Sequence, residues 1–305
     1  MEETPELVQN PELEAVKSSV VVASSTFYKN WYPGELKSLT DIDKLRGDLA
    51  IEALGKTATN GYRVIDVDGG SSPDFLQALN STGAEVINQQ EPGYSASRRQ
   101  GNALAAEKNP KAIFSVEPEK PSLMDSIPAL AEPILEGNAD IVFASRNQAA
   151  FDTYPPVQAE FEQKSNKLAN DILREHGLLP QDSPDLDWWM GARMIRNDPE
   201  VLGLFQEKYD FRKFNSAIDN TINLELWPNS LYIPVIAALA KGLKVVSVPV
   251  NYVHPEIQTK SETGVQAFGR KREIQFKGII IAMIEEVRRI ELESGKSSKP
   301  SRLVK

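Results

Sequence analysis

The chain has 305 residues, and 34 Lys and Arg against 43 Asp and Glu give it a formal net charge of −9. This acidic balance disfavours nucleic acid as the main partner, because that binding requires Lys and Arg to neutralise phosphates. The sequence contains no cysteine and two histidines, His176 and His254. Disulfides, thiolate metal sites and cysteine nucleophiles are therefore excluded, and a multi-histidine metal centre is disfavoured.

Neither end of the chain has the pattern of a targeting or membrane segment. Residues 1–17 carry five Glu and one Lys, whereas a signal peptide begins basic and continues apolar. The longest apolar run, GIIIAMI at 278–284, is far shorter than the ~20 residues of a membrane span. We therefore expect a cytoplasmic protein with an acidic N-terminal segment over 1–17 and a disordered basic tail over 295–305.

Short β-branched runs alternate with helical patterns in the first half of the chain. The predicted strands are 20–23, 62–67, 84–89, 112–116 and 139–145, and the predicted helices are 40–58, 73–80, 96–107 and 121–136. Most of these strands are continuously apolar, which is typical of strands covered by helices on both faces. The alternation predicts a single α/β domain in which helices flank a mainly parallel sheet. Ligands of such sheets bind beyond the carboxyl ends of the strands.

The second half of the chain has longer elements. A helix over 156–176 is followed by a loop rich in Pro and Asp, PQDSPDLD at 180–187. A helix at 231–241, a strand at 243–250, a polar loop at 251–269 and a final helix at 270–294 complete the prediction.

Charged residues follow several predicted strands. Asp68 lies in a Gly-rich turn, Arg98 lies in the first turns of a helix, and Glu117 and Glu119 project on the same side of an extended segment. Paired carboxylates suit Mg²⁺ or Mn²⁺ bridging a diphosphate. Each feature alone also has a structural explanation as an ordinary turn, an exposed basic pair or a solvated acidic loop.

The order of six motifs along the chain carries more information than any single one. The motifs are VDGGSS (67–72), GYSASRRQG (93–101), EPE (117–119), ADIVFASR (139–146), DWWMGARMIR (187–196) and ALAKGLKVVSVPV (238–250). In this order they resemble the motifs of GT-A glycosyltransferases of family 2, in particular the dolichyl-phosphate mannose synthase family. The resemblance covers roughly residues 18–262 and implies a GT-A (Rossmann-like) fold. It also implies that residues 18–150 bind a nucleotide sugar and that residues 151–294 bind its acceptor.

The resemblance also implies roles for residues at the strand ends. Asp68 would contact the nucleotide base, with Asp66 as its competitor, and Ser24 and Arg98 would lie near the nucleotide. The family's D-x-D motif, which binds ribose and metal, corresponds to the E-x-E segment, defined here as residues 117–119. Glu117 would thus face the ribose and Glu119 would bind Mg²⁺ or Mn²⁺. Glu in place of Asp is one methylene longer at both positions, so the metal site has either an altered geometry or has been lost.

A second group of residues is expected on the acceptor side. Asp187 is the candidate general base and Asp185 the second choice, although either acid could instead orient Arg193. His254 would be a third metal ligand, as in the mannosylglycerate-synthase-like retaining enzymes, or a solvated loop residue. Trp188 and Trp189 would form a platform for a sugar ring or would pack in the core.

Basic residues complete the expected site. Arg193, Lys260 and Arg270 are candidates for contacts with the acceptor or the diphosphate, since a basic helix start is unfavourable unless an anion is near. The sequence thus predicts a metal-dependent glycosyltransferase that uses a nucleotide-diphosphate sugar. The acceptor remains open between a small molecule, a glycan and a lipid phosphate, the last of which requires contact with a membrane. The alternatives are a non-catalytic relative that binds a sugar or nucleotide, and a sugar-phosphate nucleotidyltransferase. The segment ASSTFYKNW lacks the Gly-rich loop of the latter class.

Overall fold

The structure is a computed structural model that describes residues 11–212, 215, 223–263 and 266–295, without the side chains of 266–271. The described strands are β1 (Val20–Thr26), β2 (Arg63–Asp68), β3 (Glu85–Asn88), β4 (Ala112–Ser115), β5 (Ile141–Arg146), β6 (Arg193–Arg196) and β7 (Val245–Val250). The described α-helices are α1 (Pro11–Ser19), α2 (Ile42–Thr59), α3 (Pro73–Asn80), α4 (Tyr94–Ala106), α5 (Ile127–Leu135), α6 (Gln148–Phe151), α7 (Pro156–Glu175), α8 (Pro199–Gln206), α9 (Ile233–Ala240), α10 (Glu256–Glu262) and α11 (Gln266–Glu293).

In this part of the chain the strands form one seven-stranded sheet in the order β3-β2-β1-β4-β6-β5-β7. Strand β6 runs antiparallel to β4 and β5, and the remaining neighbours are parallel. The predicted α/β fold with a mainly parallel sheet is therefore confirmed. The parallel strands β1, β2, β3 and β4 place their carboxyl ends at one edge of the sheet.

Helices cover both faces of the sheet, as the continuously apolar strands predict. In β5, Val142 and Ala144 belong to one buried cluster, whereas Ile141 and Phe143 belong to the cluster on the opposite face. The first cluster contains side chains of α2, α3 and α5, and the second contains side chains of α7, α8, α9 and α11. Burial on both faces holds the strand ends rigidly in place.

Local signals explain where some elements begin. Helix α3 starts at Ser72, whose hydroxyl accepts a hydrogen bond from the Phe75 backbone at 3.2 Å, with Pro73 at the first helical position.

The sequence prediction differs from the structure in several places, and the short helices α6 and α8 were not predicted. Strand β6 was not predicted, and the segment predicted as the loop 251–269 contains helix α10 and the start of α11. The predicted helix 121–136 begins as a 3-10 turn, Pro121–Ser126, before α5. Ser122 of this turn donates a hydrogen bond to the Val253 carbonyl and accepts one from the Val253 backbone N–H.

Two predictions concern the chain ends. Residues 1–10 and 296–305 lie outside the described residues, and Pro11–Ser19 form helix α1. No helix in the described ranges is long and apolar enough to cross a membrane.

Candidate active site

A cavity of about 600 Å³ opens at the edge of the sheet where β1 to β4 end. This volume lies within the usual range for small-molecule sites. One wall is formed by residues 25–28 at the end of β1, by Gly69 and Gln89, which follow β2 and β3, and by the E-x-E segment, which follows β4. The other wall comes from α7, α10 and α11. The cavity thus lies where ligands of parallel α/β sheets bind.

Both acids of the E-x-E segment line this cavity and both have cationic partners. Glu117 accepts a hydrogen bond from the Tyr94 hydroxyl at 3.0 Å and pairs with Lys120. Burial raises the pKa of Glu117, but Lys120, Arg98 and Arg46 outweigh it and lower the pKa to about 2. This carboxylate is therefore ionised at any physiological pH.

The second acid, Glu119, has two partners at one oxygen. Its Oε1 accepts a hydrogen bond of 2.6 Å from the Tyr28 hydroxyl and lies 3.2 Å from Nε of Arg46. The Glu119 side chain is 11% exposed and the Arg46 side chain is 36% exposed. Glu119 thus reaches the cavity surface, as expected of a metal ligand.

His254 lines the same cavity and is held from several sides. Its ring stacks on Tyr154 at 4.1 Å between centroids, and its backbone N–H bonds Thr153. Nε2 lies 3.4 Å from Oε2 of Glu262, and neither atom has an aligned hydrogen-bond partner among the described residues. A buried nitrogen without a partner is rare unless a ligand, ion or water completes it.

Asp68 organises the turn after β2, whereas Asp66 bonds the neighbouring strand β1, and neither lines the cavity that the described residues form. Asp68 accepts hydrogen bonds from the backbones of Gly70 and Ser71 at 2.7 and 2.9 Å. Asp66 is fully buried and accepts from Ser24 at 2.5 Å. The predicted nucleotide residues Ser24 and Asp68 therefore lie behind Gly69, which itself lines the cavity.

Arg98 connects the start of α4 to the cavity. Its guanidinium donates to the Tyr94 hydroxyl, to Ser115 and to the carbonyl of Gly191 at 3.0–3.2 Å. Arg98 is 3% exposed, and Tyr94 stands between it and Glu117. Arg98 therefore acts on the cavity through its charge and through Tyr94.

Asp187 is an ion-pair partner in the core. Its carboxylate accepts hydrogen bonds from Nε and Nη2 of Arg146 at 2.7 Å each, and Glu162 pairs with Nη1 at 2.6 Å. Asp187 does not line the cavity of the described residues, and its two carboxylate oxygens accept hydrogen bonds from Arg146 and Asn166. The general-base role stays a prediction that this geometry disfavours.

Asp185 and Arg193 also lie away from the cavity that the described residues enclose. The Asp185 side chain is 51% exposed and pairs with Arg174 at 2.7 Å. Arg193 is fully buried, with its guanidinium 3.6 Å from the ring centroid of Phe143, and burial lowers its pKa to about 9. The structure gives no support to contacts of Arg193 with an acceptor, and the residue that Asp187 orients is Arg146.

The remaining predictions have mixed outcomes. Lys260 is exposed and pairs with Glu256 along α10, and the Arg270 side chain lies outside the described residues. Trp188 is fully buried in the core, whereas Trp189 lines the cavity. Of these two tryptophans, Trp189 is therefore the one that can contact a ligand in the cavity.

Several cavity residues were missing from the sequence prediction. Tyr28, Arg46, Gln158, Glu162 and Glu262 line the cavity, but none belongs to the six motifs of the resemblance. The sequence offers no local signal for them, because their positions depend on how α2, α7 and α10 pack against the strand ends.

The acids and His254 do not form a closed metal cage. Among the described residues, no three Asp, Glu or His side chains lie close enough together to enclose a metal ion. Mg²⁺ is commonly held by one or two carboxylates and by substrate phosphates, which requires fewer protein ligands.

The fold is similar to that of glucosyl-3-phosphoglycerate synthase from Mycobacterium tuberculosis. Its complex with Mn²⁺, UDP and glucosyl-3-phosphoglycerate matches with a TM-score of 0.58 and 12% identity, over 98% of this chain and 88% of that chain. Its complex with Mn²⁺, UDP-glucose and phosphoglyceric acid matches with a TM-score of 0.55 and 13% identity, over 97% and 87%. No protein-family model and no curated protein sequence matches the chain. The similarity confirms the predicted GT-A fold.

Proposed function

We propose that this chain is a glycosyltransferase that moves a sugar from a nucleotide-diphosphate sugar to an acceptor hydroxyl or phosphate. The observation that carries the proposal is the cavity at the ends of β1 to β4, which is lined by Glu117 and Glu119 of the E-x-E segment and by His254, which follows β7. The similar structures from M. tuberculosis hold UDP with Mn²⁺ or Mg²⁺. A nucleotide sugar and a divalent cation therefore suit both the fold and the cavity.

The donor atoms present fit a divalent cation that is completed by a diphosphate. Glu119 reaches the cavity, and Nε2 of His254 lacks an aligned partner among the described side chains. Carboxylate and imidazole both suit Mn²⁺. Glu119 and His254 would hold the metal, which would stabilise negative charge on the departing diphosphate.

Residues of one wall would bind the donor, and residues of the other wall would bind the acceptor. Residues 25–28 and Gly69 line the part of the cavity where the nucleotide would bind, within the half of the chain that we assign to the donor, 18–150. Tyr154 and Trp189 belong to the half that we assign to the acceptor, 151–294. The cavity between these halves would position the two substrates for transfer.

A small anionic acceptor agrees best with the second wall. Arg272 of α11 lines the cavity beside Trp189, with 5.4 Å between the guanidinium carbon and the ring centroid. The enzyme from M. tuberculosis is described in complex with phosphoglyceric acid. We infer that a small hydroxy acid carrying negative charge is accepted here, in a cytoplasmic reaction without nucleic acid.

One observation favours a second candidate, a protein that binds a nucleotide or sugar without turnover. Both acids of the E-x-E segment already have cationic partners, Lys120 and Arg46. A site whose charges are balanced internally needs no metal to fold. Binding without hydrolysis or transfer of the donor would distinguish this candidate.

A thermal-shift panel tests the donor class. UDP, GDP, ADP and CMP are each added with Mn²⁺, with Mg²⁺ or with EDTA to the wild type, to Glu119→Gln and to the exposed control Glu132→Gln. Ligand at about 100 times its Kd contributes about 2.7 kcal/mol, which raises the Tm of a 305-residue chain by about 4 °C.

We expect one diphosphate to raise the Tm with Mn²⁺, and we expect EDTA or Glu119→Gln to remove most of the shift. Glu132→Gln should respond like the wild type. The absence of any shift with all four nucleotides would overturn the proposed function.

A further inference from the structure

Two basic side chains lie among the acids where the proposed function requires a metal ion. Arg46 extends from α2 to Glu119, and Lys120 pairs with Glu117. Both basic residues line the cavity. The acidic wall is thus balanced by the chain's own cations, at the position where a divalent cation would act.

Arg46 faces more than one acid. Its pKa is raised above the ordinary value by Glu119 first, against the opposing effect of burial, and further by Tyr28, Glu117 and Glu262. The guanidinium is therefore a permanent positive charge that contacts Glu119 and is attracted more weakly by Glu117 and Glu262. A divalent cation bound at Glu119 would experience repulsion from this charge.

The contact between Arg46 and Glu119 can be exchanged. Nε of Arg46 lies 3.2 Å from Oε1 of Glu119 and lacks an aligned hydrogen bond to any described residue. Paired forks between guanidinium and carboxylate are stronger and more directional. Because the Arg46 side chain is 36% exposed, it has room to leave Glu119.

We propose, on the basis of the proposed function, that Arg46 competes with the divalent cation for Glu119 and turns to the diphosphate when metal and nucleotide bind together. A metal that enters alone must displace the guanidinium and remain beside it. A diphosphate provides the displaced guanidinium with a new anionic partner. Metal and nucleotide therefore strengthen each other's binding, by the same factor in both directions.

Binding of Mn²⁺ measures this competition without turnover. Free Mn²⁺ is followed by electron paramagnetic resonance during titration, alone and with saturating UDP, GDP or ADP. The variants are Arg46→Met, Arg46→Gln and Arg46→Lys. The control is Arg63→Met, which removes an exposed arginine at the opposite end of β2.

We expect Arg46→Met and Arg46→Gln to bind Mn²⁺ alone roughly three- to tenfold more tightly than the wild type, the range for losing one partly exposed charge contact. The factor by which nucleotide improves Mn²⁺ binding should fall by a similar amount. Arg46→Lys and Arg63→Met should stay close to the wild type. Unchanged Tm values would show that each variant is folded. Two neutral replacements of Arg46 are included so that the test can still be made if one of them does not fold.

The possible results separate this inference from the proposed function. Equal or weaker Mn²⁺ binding by both neutral variants, with unchanged enhancement by nucleotide, would overturn the role of Arg46 while leaving the transferase in place. Tighter Mn²⁺ binding by these variants supports the competition, even if no nucleotide binds and the proposed function fails. No Mn²⁺ binding by any variant, with or without nucleotide, would overturn both.

Discussion

Replacing Asp187 by Asn should destabilise the protein strongly, because Asp187 is the main counter-ion of a buried arginine. Its carboxylate accepts hydrogen bonds from Arg146 Nε, Nη2 and backbone N–H, and from Asn166 Nδ2, at 2.7, 2.7, 3.2 and 2.8 Å. The side chains of Arg146 and Asp187 are 1% and 4% exposed. An amide keeps the shape but removes the charge and turns an NH₂ group towards these donors.

Removing one partner of a buried ion pair costs about 3–5 kcal/mol, since it leaves the other charge poorly compensated. Glu162 continues to pair with Arg146, which keeps the loss within this range. For 305 residues this corresponds to a Tm lower by about 5–8 °C.

The effect should depend on pH with a defined sign. Burial alone would raise the pKa of Asp187, but Arg146 and Asn166 outweigh it and hold the pKa below its ordinary value. The carboxylate therefore stabilises the fold fully above the unfolded pKa of about 3.9, and this contribution is lost as the pH falls through the lower folded value. The difference between wild type and Asp187→Asn should be constant above about pH 5 and narrow below pH 4.

Urea unfolding followed by tryptophan fluorescence measures the free energies, with Asp185→Asn as the matched control. Asp185 is 51% exposed and its pair with Arg174 is a surface contact, so we expect a change below about 1 kcal/mol. The reasoning is refuted if Asp187→Asn remains within 1 kcal/mol of the wild type. If such a stable variant also lost all turnover, the general-base role would be favoured.

Two further predictions concern Asp66 in β2 and Gly191, the glycine beside the E-x-E segment. Burial raises the pKa of Asp66 to about 6 despite its hydrogen bond from Ser24. The free energy of unfolding should therefore fall by roughly 2 kcal/mol from pH 4 to 6. Asp66→Asn should flatten this dependence in urea titrations, and an unchanged pH dependence would contradict the assignment. Gly191 has φ +74°, and a Cβ there would lie 3.1 Å from Cδ of Glu117. Gly191→Ala should therefore weaken nucleotide binding several-fold. The matched control is Gly242→Ala, which has the same backbone strain of about 1–2 kcal/mol but places its Cβ within 4 Å of no atom. Equal nucleotide Kd values for the two variants would show that Glu117 adjusts freely.

The fold follows from the sequence wherever strands are continuous apolar runs. Val20–Thr26 and Ile141–Arg146 were recognised because both of their faces are buried and their residues are β-branched or aromatic. Strand β6 was missed because RMIR is short and has Arg at both ends. Its place between β4 and β5 depends on pairing with distant strands.

The site was only partly predictable for a similar reason. The spacing of Glu117 and Glu119 after a strand identified two acids that do line the cavity. Asp187 looked equally suitable, but its partner Arg146 lies 41 residues earlier, so no local pattern reveals the ion pair. Arg46 lies within an ordinary helical pattern, and only the packing of α2 brings it to Glu119.

Release of nucleoside diphosphate from a nucleotide sugar tests the central claim most directly. Wild type and Glu119→Gln are incubated with Mn²⁺ and UDP-, GDP- or ADP-glucose, with and without a phosphorylated hydroxy acid as acceptor. We expect the wild type to release nucleoside diphosphate and the acceptor to stimulate this release. Glu119→Gln or EDTA should reduce the rate at least 100-fold, which corresponds to about 2.7 kcal/mol of transition-state stabilisation. Folded wild-type protein that binds a nucleotide in the thermal panel yet releases none above the enzyme-free rate would contradict the transferase and establish a binding protein.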